Sequence, residues 1–132
     1  MIDAEGDVIT PAAVGGVPDG VTFEPGVVTY AISGRTFDEL QAAMRRDGPI
    51  VGGARVQAAT DWDATWRYRY RSNATRCAVT QATVRVVARV TMPVWTPPAD
   101  ADPRLVTVWR SYRERIWRHE LQHVRHALDA GG

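Results

Sequence analysis

The sequence contains no lysine, only one cysteine and no long apolar run. The lone Cys77 can form neither an internal disulfide nor a cysteine cluster that binds a metal. No apolar stretch is long enough to cross a bilayer, so we expect no membrane span. The formal net charge of +1 gives no strong field that would attract nucleic acid or a membrane surface. These absences argue against disulfide-rich, membrane-spanning and strongly basic proteins.

The chain has 132 residues, of which 45% are hydrophobic, and it includes five tryptophans. That length suits one domain with one modest core. Glycine and proline interrupt residues 1–25 without any hydrophobic period, which predicts a flexible N-terminal arm. Residues 26–132 are then expected to form a single domain.

Two short elements are predicted at the start of that domain. Residues 26–33 are β-branched and aromatic, which favours a first strand. Thr36 is a good helix N-cap and Glu39 follows three residues later, as in a capping box. The spacing predicts a helix over residues 37–46.

Residues 55–71 and 77–92 both alternate between apolar and polar side chains, and a turn separates them. This period predicts a long antiparallel hairpin with one apolar and one basic face. The aromatic residues of the first run share the apolar face, so we expect them in the core and consider single-stranded nucleic-acid binding the weaker interpretation. They are Trp62, Trp66, Tyr68 and Tyr70.

From about residue 105 to residue 129 the apolar period is helical, and it predicts a long C-terminal helix. Its apolar stripe, continued at the same spacing, includes His119 and His123. The predicted fold is therefore α+β. A small antiparallel sheet, made of the first strand and the hairpin, is packed by a short helix and by the long C-terminal helix.

The long helix carries the pattern His119-Glu120-x-x-His123. Residues i and i+4 lie on one helical face, so two imidazoles can bind a single Zn²⁺. A glutamate at i+1 reaches a water on the metal rather than the metal itself. Zinc lowers the pKa of that water, and Glu120 accepts its proton during attack on a carbonyl. The motif predicts a metallohydrolase with Glu120 as the catalytic base.

A catalytic zinc usually has three protein ligands, and the helix supplies two. His126 lies seven residues after His119, about 10 Å along an unbroken helix, which is far for one ion. Asp129 occupies the ligand position of an extended motif, but the glycine that would turn the chain is replaced by His126. Asp61 and Asp63 fall on the basic face of the hairpin. The third ligand therefore stays open among these four residues and residues outside the chain.

The chain also resembles a known family over residues 30–130. It is similar to the bacterial domain-of-unknown-function family 922, regarded as zinc-dependent proteases of the zincin type. The matching features are Tyr30-x-x-x-Gly34, Thr36 and its helix, Gly48-Pro49, Thr60-x-Trp62-x-x-x-Trp66-x-Tyr68, Cys77, Met92-Pro93-x-Trp95 and Arg118-His119-Glu120-x-x-His123-Val124.

The resemblance implies a zincin-like fold, His119 and His123 as zinc ligands and Glu120 as catalytic base. It implies a reaction class, hydrolysis of a peptide or amide bond in a peptide or protein substrate, and no particular substrate. It also implies export from a bacterial cell, with a cytoplasmic location as the alternative because the chain shows no signal peptide. Zincins place a substrate-aligning edge strand beside the active helix, and either hairpin strand suits that role. The rival hypothesis is a non-catalytic metal-binding or interaction domain that retains the helix without a complete site. The oligomeric state stays open.

Overall fold

The computed structural model describes residues 7–131. In chain order the elements are β1 (Val21–Ile32), α1 (Phe37–Asp47), β2 (Ile50–Val51), β3 (Ala54–Arg55), β4 (Ala59–Ser72), β5 (Cys77–Trp95) and α2 (Pro103–Gly131), preceded by a 3-10 turn at Ala12–Val14. The α+β class, the hairpin and both helices are confirmed. No helix in this part of the chain has the length and apolar character needed to cross a membrane.

The main sheet has three strands in the order β1-β5-β4, and β5 is central. β4 and β5 form the predicted antiparallel hairpin, which pairs from Ala59↔Thr91 to Ser72↔Cys77. β1, however, runs parallel to β5, from Val21↔Val84 to Ile32↔Trp95. The sheet is therefore mixed and not wholly antiparallel. The side-chain period of two is the same for both directions, so the pattern of β1 carried no information on its direction.

One face of the sheet is buried beneath the helices. β5 supplies alternate core residues, and the last turns of α2 pack on them through Val124, Ala127 and Leu128. A second cluster joins α1 to the first half of α2 through Leu40, Met44 and Trp109. The sequence places Ala82, Val84, Val86, Ala88, Val90 and Met92 on the apolar face of β5. The last five are buried, as expected, whereas Ala82 is exposed.

Residues 7–25, expected in a flexible arm, pack against the domain. Ile9 and Val14 belong to the first core cluster, and β1 begins at Val21 rather than at residue 26. Asp7 forms a buried ion pair with Arg113 of α2, in which Arg113 Nη1 donates to Asp7 Oδ1 at 2.7 Å. Pro11, Gly15 and Gly20 lie in turns between packed residues, whereas Pro25 lies within β1. Residues 1–6, the rest of the expected arm, lie outside the described residues.

The hairpin aromatics are not core residues, contrary to the prediction. Trp62, Trp66, Tyr68 and Tyr70 are 46–63% exposed. They do share one face of β4, but α2 covers only the part of that face near the sheet centre. Its last described residue, Gly131, lies against Val84 and Val86, and Tyr68 and Tyr70 pair with β5 residues further along the hairpin. Trp62 and Trp66 lie on the edge strand opposite buried β5 residues and are themselves half-exposed. The argument from burial against nucleic-acid binding therefore loses its support.

Candidate metal centre

His119, Glu120 and His123 come together just past the midpoint of α2. Their nearest ligand atoms all lie within 4.8 Å of one another. The two histidine Nε2 atoms are 3.1 Å apart, and the rings are perpendicular, with centroids 4.7 Å apart. This closeness follows from the i, i+4 spacing on an unbroken helix.

The orientation of the motif differs from the sequence-based expectation. The histidines are exposed and Glu120 is only 5% exposed, so the glutamate and not the histidines faces the sheet. The buried stripe of α2 includes two charged residues, Arg113 and Glu120, among apolar ones. Because hydrophobic periodicity ignores charged residues, the predicted stripe was displaced towards the histidines.

Thr60, the second residue of β4, holds the Glu120 carboxylate. Its hydroxyl donates to Glu120 Oε1 at 2.9 Å, and it lies 3.3 Å from the Glu120 carbonyl oxygen. A buried carboxylate needs such a donor, because burial of an unpaired charge is costly. One oxygen of Glu120 is thus engaged by Thr60, which leaves the other for proton transfer. The sequence marked Thr60 only as part of a family pattern and not as a partner of the glutamate.

The pair of imidazole nitrogens fits a zinc ion. Two nitrogens bound at about 2.0–2.1 Å in tetrahedral geometry lie about 3.3–3.4 Å apart, close to the separation of the two Nε2 atoms. Imidazole is also a ligand type that zinc prefers. The same separation allows an N–H···N hydrogen bond between the rings, so metal titration is the direct test.

The four proposed third ligands lie outside this cluster. His126 is exposed and its ring centroid is 6.3 Å from that of His123. Asp129 pairs with Arg125, whose Nε donates to Asp129 Oδ1 at 3.0 Å. Asp61 and Asp63 pair in register with Arg89 and Val87, on the sheet face turned away from α2. Among residues 7–131, only His119, Glu120 and His123 form a group of metal-binding side chains.

A cavity of about 750 Å³ opens beside the motif. His119 and Glu120 form part of its wall. Tyr112 and three arginines, Arg45, Arg55 and Arg115, also line it. We call this cavity the arginine pocket. Its volume is typical of a pocket that binds a small ligand or a few residues of a peptide.

The far wall of the arginine pocket is the segment between β3 and β4, and it is held firmly. Tyr30 Oη donates to the Gln57 carbonyl at 2.5 Å. Burial raises the pKa of Tyr30, with further contributions from Tyr112 and Asp47, so this phenol remains a neutral donor. Burial also raises the pKa of Tyr112.

Gly48 allows this segment to approach the end of α1. A Cβ at Gly48 would lie 2.0 Å from the Val56 carbonyl oxygen, and such a contact is impossible without movement of the backbone. Val56 N–H donates to the Pro49 carbonyl at 2.8 Å in the same turn. Close packing at the wall of the pocket therefore explains why residue 48 is a glycine, and the carbonyl of Pro49 accepts a hydrogen bond in the same turn.

Comparison with known proteins supports one assignment. A family model described as "Bacterial protein of unknown function (DUF922)" matches residues 27–132. Neither the search of curated proteins nor the search of solved structures gave a match.

Proposed function

The chain belongs to this bacterial family of unknown function, and we propose that it is a zinc-dependent metallopeptidase. The observation that carries the proposal is the convergence of His119 and His123 Nε2 at 3.1 Å, beside a buried glutamate at the wall of an open pocket. Two adjacent imidazoles and a neighbouring carboxylate supply two ligands and a base for metal-assisted hydrolysis, and a third ligand would complete the catalytic site. Export from the cell stays part of the same hypothesis.

His119 and His123 would hold the ion. Bound zinc would polarise a carbonyl and make water acidic enough to attack it near neutral pH. Glu120 would accept the proton of the attacking water and pass it to the leaving amine. Thr60 would keep the carboxylate turned towards the pocket by its hydrogen bond of 2.9 Å.

An extended peptide fits the sheet next to this motif. β4 is an edge strand and begins at Ala59, next to Thr60 and thus next to Glu120. An edge strand has backbone groups that can pair with a substrate in extended conformation. β5 is central and is paired on both sides over residues 84–95, so next to Glu120 only β4 of the two hairpin strands can serve.

A second function, metal binding without catalysis, is favoured by the composition of the cluster. Among the described residues the group contains two histidines and Glu120 but no further donor. If Glu120 were the third ligand, it would not be free to act as a base. The two functions therefore assign different roles to the same carboxylate.

Substitution of Glu120 separates these roles. In the peptidase, Glu120→Gln keeps zinc at one ion per chain with nearly unchanged affinity and loses hydrolysis of a mixed peptide library. Removal of an essential base lowers the rate by about a hundredfold or more. The matched control is Glu114→Gln on the same helix, where the exposed Glu114 pairs with Arg118; it should keep both properties.

Other results of the same experiment would contradict one or both of these functions. A large loss of zinc affinity in Glu120→Gln, with no hydrolysis by the wild-type protein, would assign Glu120 as a ligand and favour the non-catalytic function. Full hydrolysis by Glu120→Gln would remove Glu120 from catalysis. Failure of wild-type protein to bind zinc on titration would refute both functions.

A further inference from the structure

The arginine pocket carries a strong positive charge next to His119 and Glu120. Three arginines line it, and the only carboxylate among its lining residues is Glu120. No carboxylate of residues 7–131 lies within ion-pair distance of Arg45, Arg55 or Arg115. Several arginines elsewhere in the fold, such as Arg85 and Arg125, do have carboxylate partners. None of the three guanidinium groups is therefore held in an ion pair within the described structure. Asp47, an exposed carboxylate outside the lining of the pocket, acts on Arg55 only at longer range: the pKa of Asp47 is lowered first by its hydrogen bond to Arg46 and also by the charges of Arg46 and Arg55.

Two of these guanidinium groups are already positioned. Arg55 Nη1 donates to the Gly48 carbonyl at 2.6 Å. The Arg115 guanidinium carbon lies 5.8 Å from the centroid of the Tyr112 ring. A guanidinium has five N–H donors, so each group keeps donors available after these contacts. Positioned arginines bind carboxylates well, because two parallel N–H···O bonds match the geometry of the planar anion.

We propose that the arginine pocket binds a carboxylate group of the peptide substrate, either an acidic side chain or a free C-terminus, next to the scissile bond. The inference rests on the proposed function, since it assigns a substrate preference to the same site. His119 and Glu120 form part of the wall of the same cavity, so a ligand in the pocket lies beside the reacting groups. The preference follows from charge and from the fork geometry of arginine rather than from shape.

Binding without turnover tests the inference independently of catalysis. Three synthetic hexapeptides of otherwise identical sequence are titrated into the Glu120→Gln variant and followed by NMR of backbone amides at residues 57, 58 and 115. The first has a central Glu and blocked ends, the second a central Gln and blocked ends, and the third a central Gln and a free C-terminal carboxylate. The first and third peptides separate the two sources of the carboxylate.

At least one carboxylate peptide should bind about tenfold or more tightly than the neutral peptide, as expected for charge-assisted hydrogen bonds. The preference should decrease with added salt. It should be lost in Arg55→Met/Arg115→Met and kept in the control Arg110→Met, an exposed position on α2 that lines a different cavity. Amide spectra of the free variants check that each is folded.

Equal or undetectable binding of all three peptides overturns the inference, as does a preference that survives the double arginine substitution. Zinc binding and peptide hydrolysis test the proposed function independently of the carboxylate preference. A carboxylate preference in a protein that neither binds zinc nor hydrolyses any peptide keeps the pocket assignment and removes the peptidase. Zinc-dependent hydrolysis without any carboxylate preference does the reverse.

Discussion

At the scale of single residues, buried charged groups distinguish this protein. Glu120 is 5% exposed and Arg113 4%, and both lie on the inner stripe of α2. Each has a partner from a distant part of the chain, Thr60 for Glu120 and Asp7 for Arg113. Because an unpaired buried charge is costly, these partners are needed for the helix to pack as it does.

Thr60 provides a prediction at this scale. Thr60→Val keeps the side-chain volume but removes the donor to Glu120, so the free energy of unfolding should fall by about 1.5–3 kcal/mol. Thr60→Ser keeps the hydroxyl and should lose much less. Urea denaturation of the metal-free protein measures both values.

Thr65→Val is the matched control for this experiment, since Thr65 is exposed on the same strand. It should change stability by less than about 0.5 kcal/mol. Equal stability of Thr60→Val and wild type would show that the hydrogen bond to Glu120 contributes nothing to folding.

At the scale of elements, the N-terminal segment and the hairpin both differ from their sequence patterns. Residues 7–25 appear irregular in sequence, yet Ile9 and Val14 are buried, and Asp7 is bound to α2. The hairpin has a clear alternation, yet its aromatic face is half-exposed. In both cases the burial depends on what α2 covers, which no local pattern contains.

The Asp7–Arg113 pair predicts a strong role for the N-terminal segment. Asp7→Ala leaves the guanidinium of Arg113 without this carboxylate in a buried position, and the expected loss is about 3–5 kcal/mol. Asp19→Ala, at an exposed position of the same segment, should have little effect. Thermal and urea denaturation measure the difference in stability. A loss below about 1 kcal/mol for Asp7→Ala would contradict the docking of this segment.

The hairpin provides a paired prediction. Tyr70 is 63% exposed and Met92, on the neighbouring strand, is fully buried. Tyr70→Ala should cost less than about 1 kcal/mol, whereas Met92→Ala should cost about 2–5 kcal/mol because it creates a cavity in the core. A large loss for Tyr70→Ala would mean that the aromatic face is covered in solution.

At the scale of the whole molecule, binding of an ion at the proposed metal centre would be coupled to the folding of α2. A ligand that binds only the folded state stabilises it by mass action. His119 and His123 are one helical turn apart, so an ion held by both would stabilise α2 in its helical form. The stability of the protein should therefore depend on zinc.

This dependence can be measured by thermal unfolding. At a zinc concentration a hundredfold above Kd, wild-type protein should gain about 2.7 kcal/mol, and a chelator should abolish the gain. His119→Ala/His123→Ala should not respond. His126→Ala should respond as wild type does, because His126 lies outside the cluster. An equal zinc response in the double variant would place the ion elsewhere.

The sequence by itself determined the elements and the local motif. The hydrophobic period, the capping residues and the turn residues predicted α1, the β4–β5 hairpin and α2. The i, i+4 spacing predicted that His119 and His123 would meet. All these features depend on residues close to one another in the sequence. The family assignment also came from motifs along the chain and is confirmed over residues 27–132.

Only the tertiary structure decided the direction of β1, the packing of residues 7–25, the exposure of Trp66 and Tyr70, and the burial of Glu120. It also brought Thr60, Arg45 and Arg55 to the motif from separate elements. These features depend on contacts between residues far apart in sequence. Their free energies come from partners that hydrophobic periodicity cannot represent, above all the hydrogen bonds that allow charged side chains to occupy an inner face.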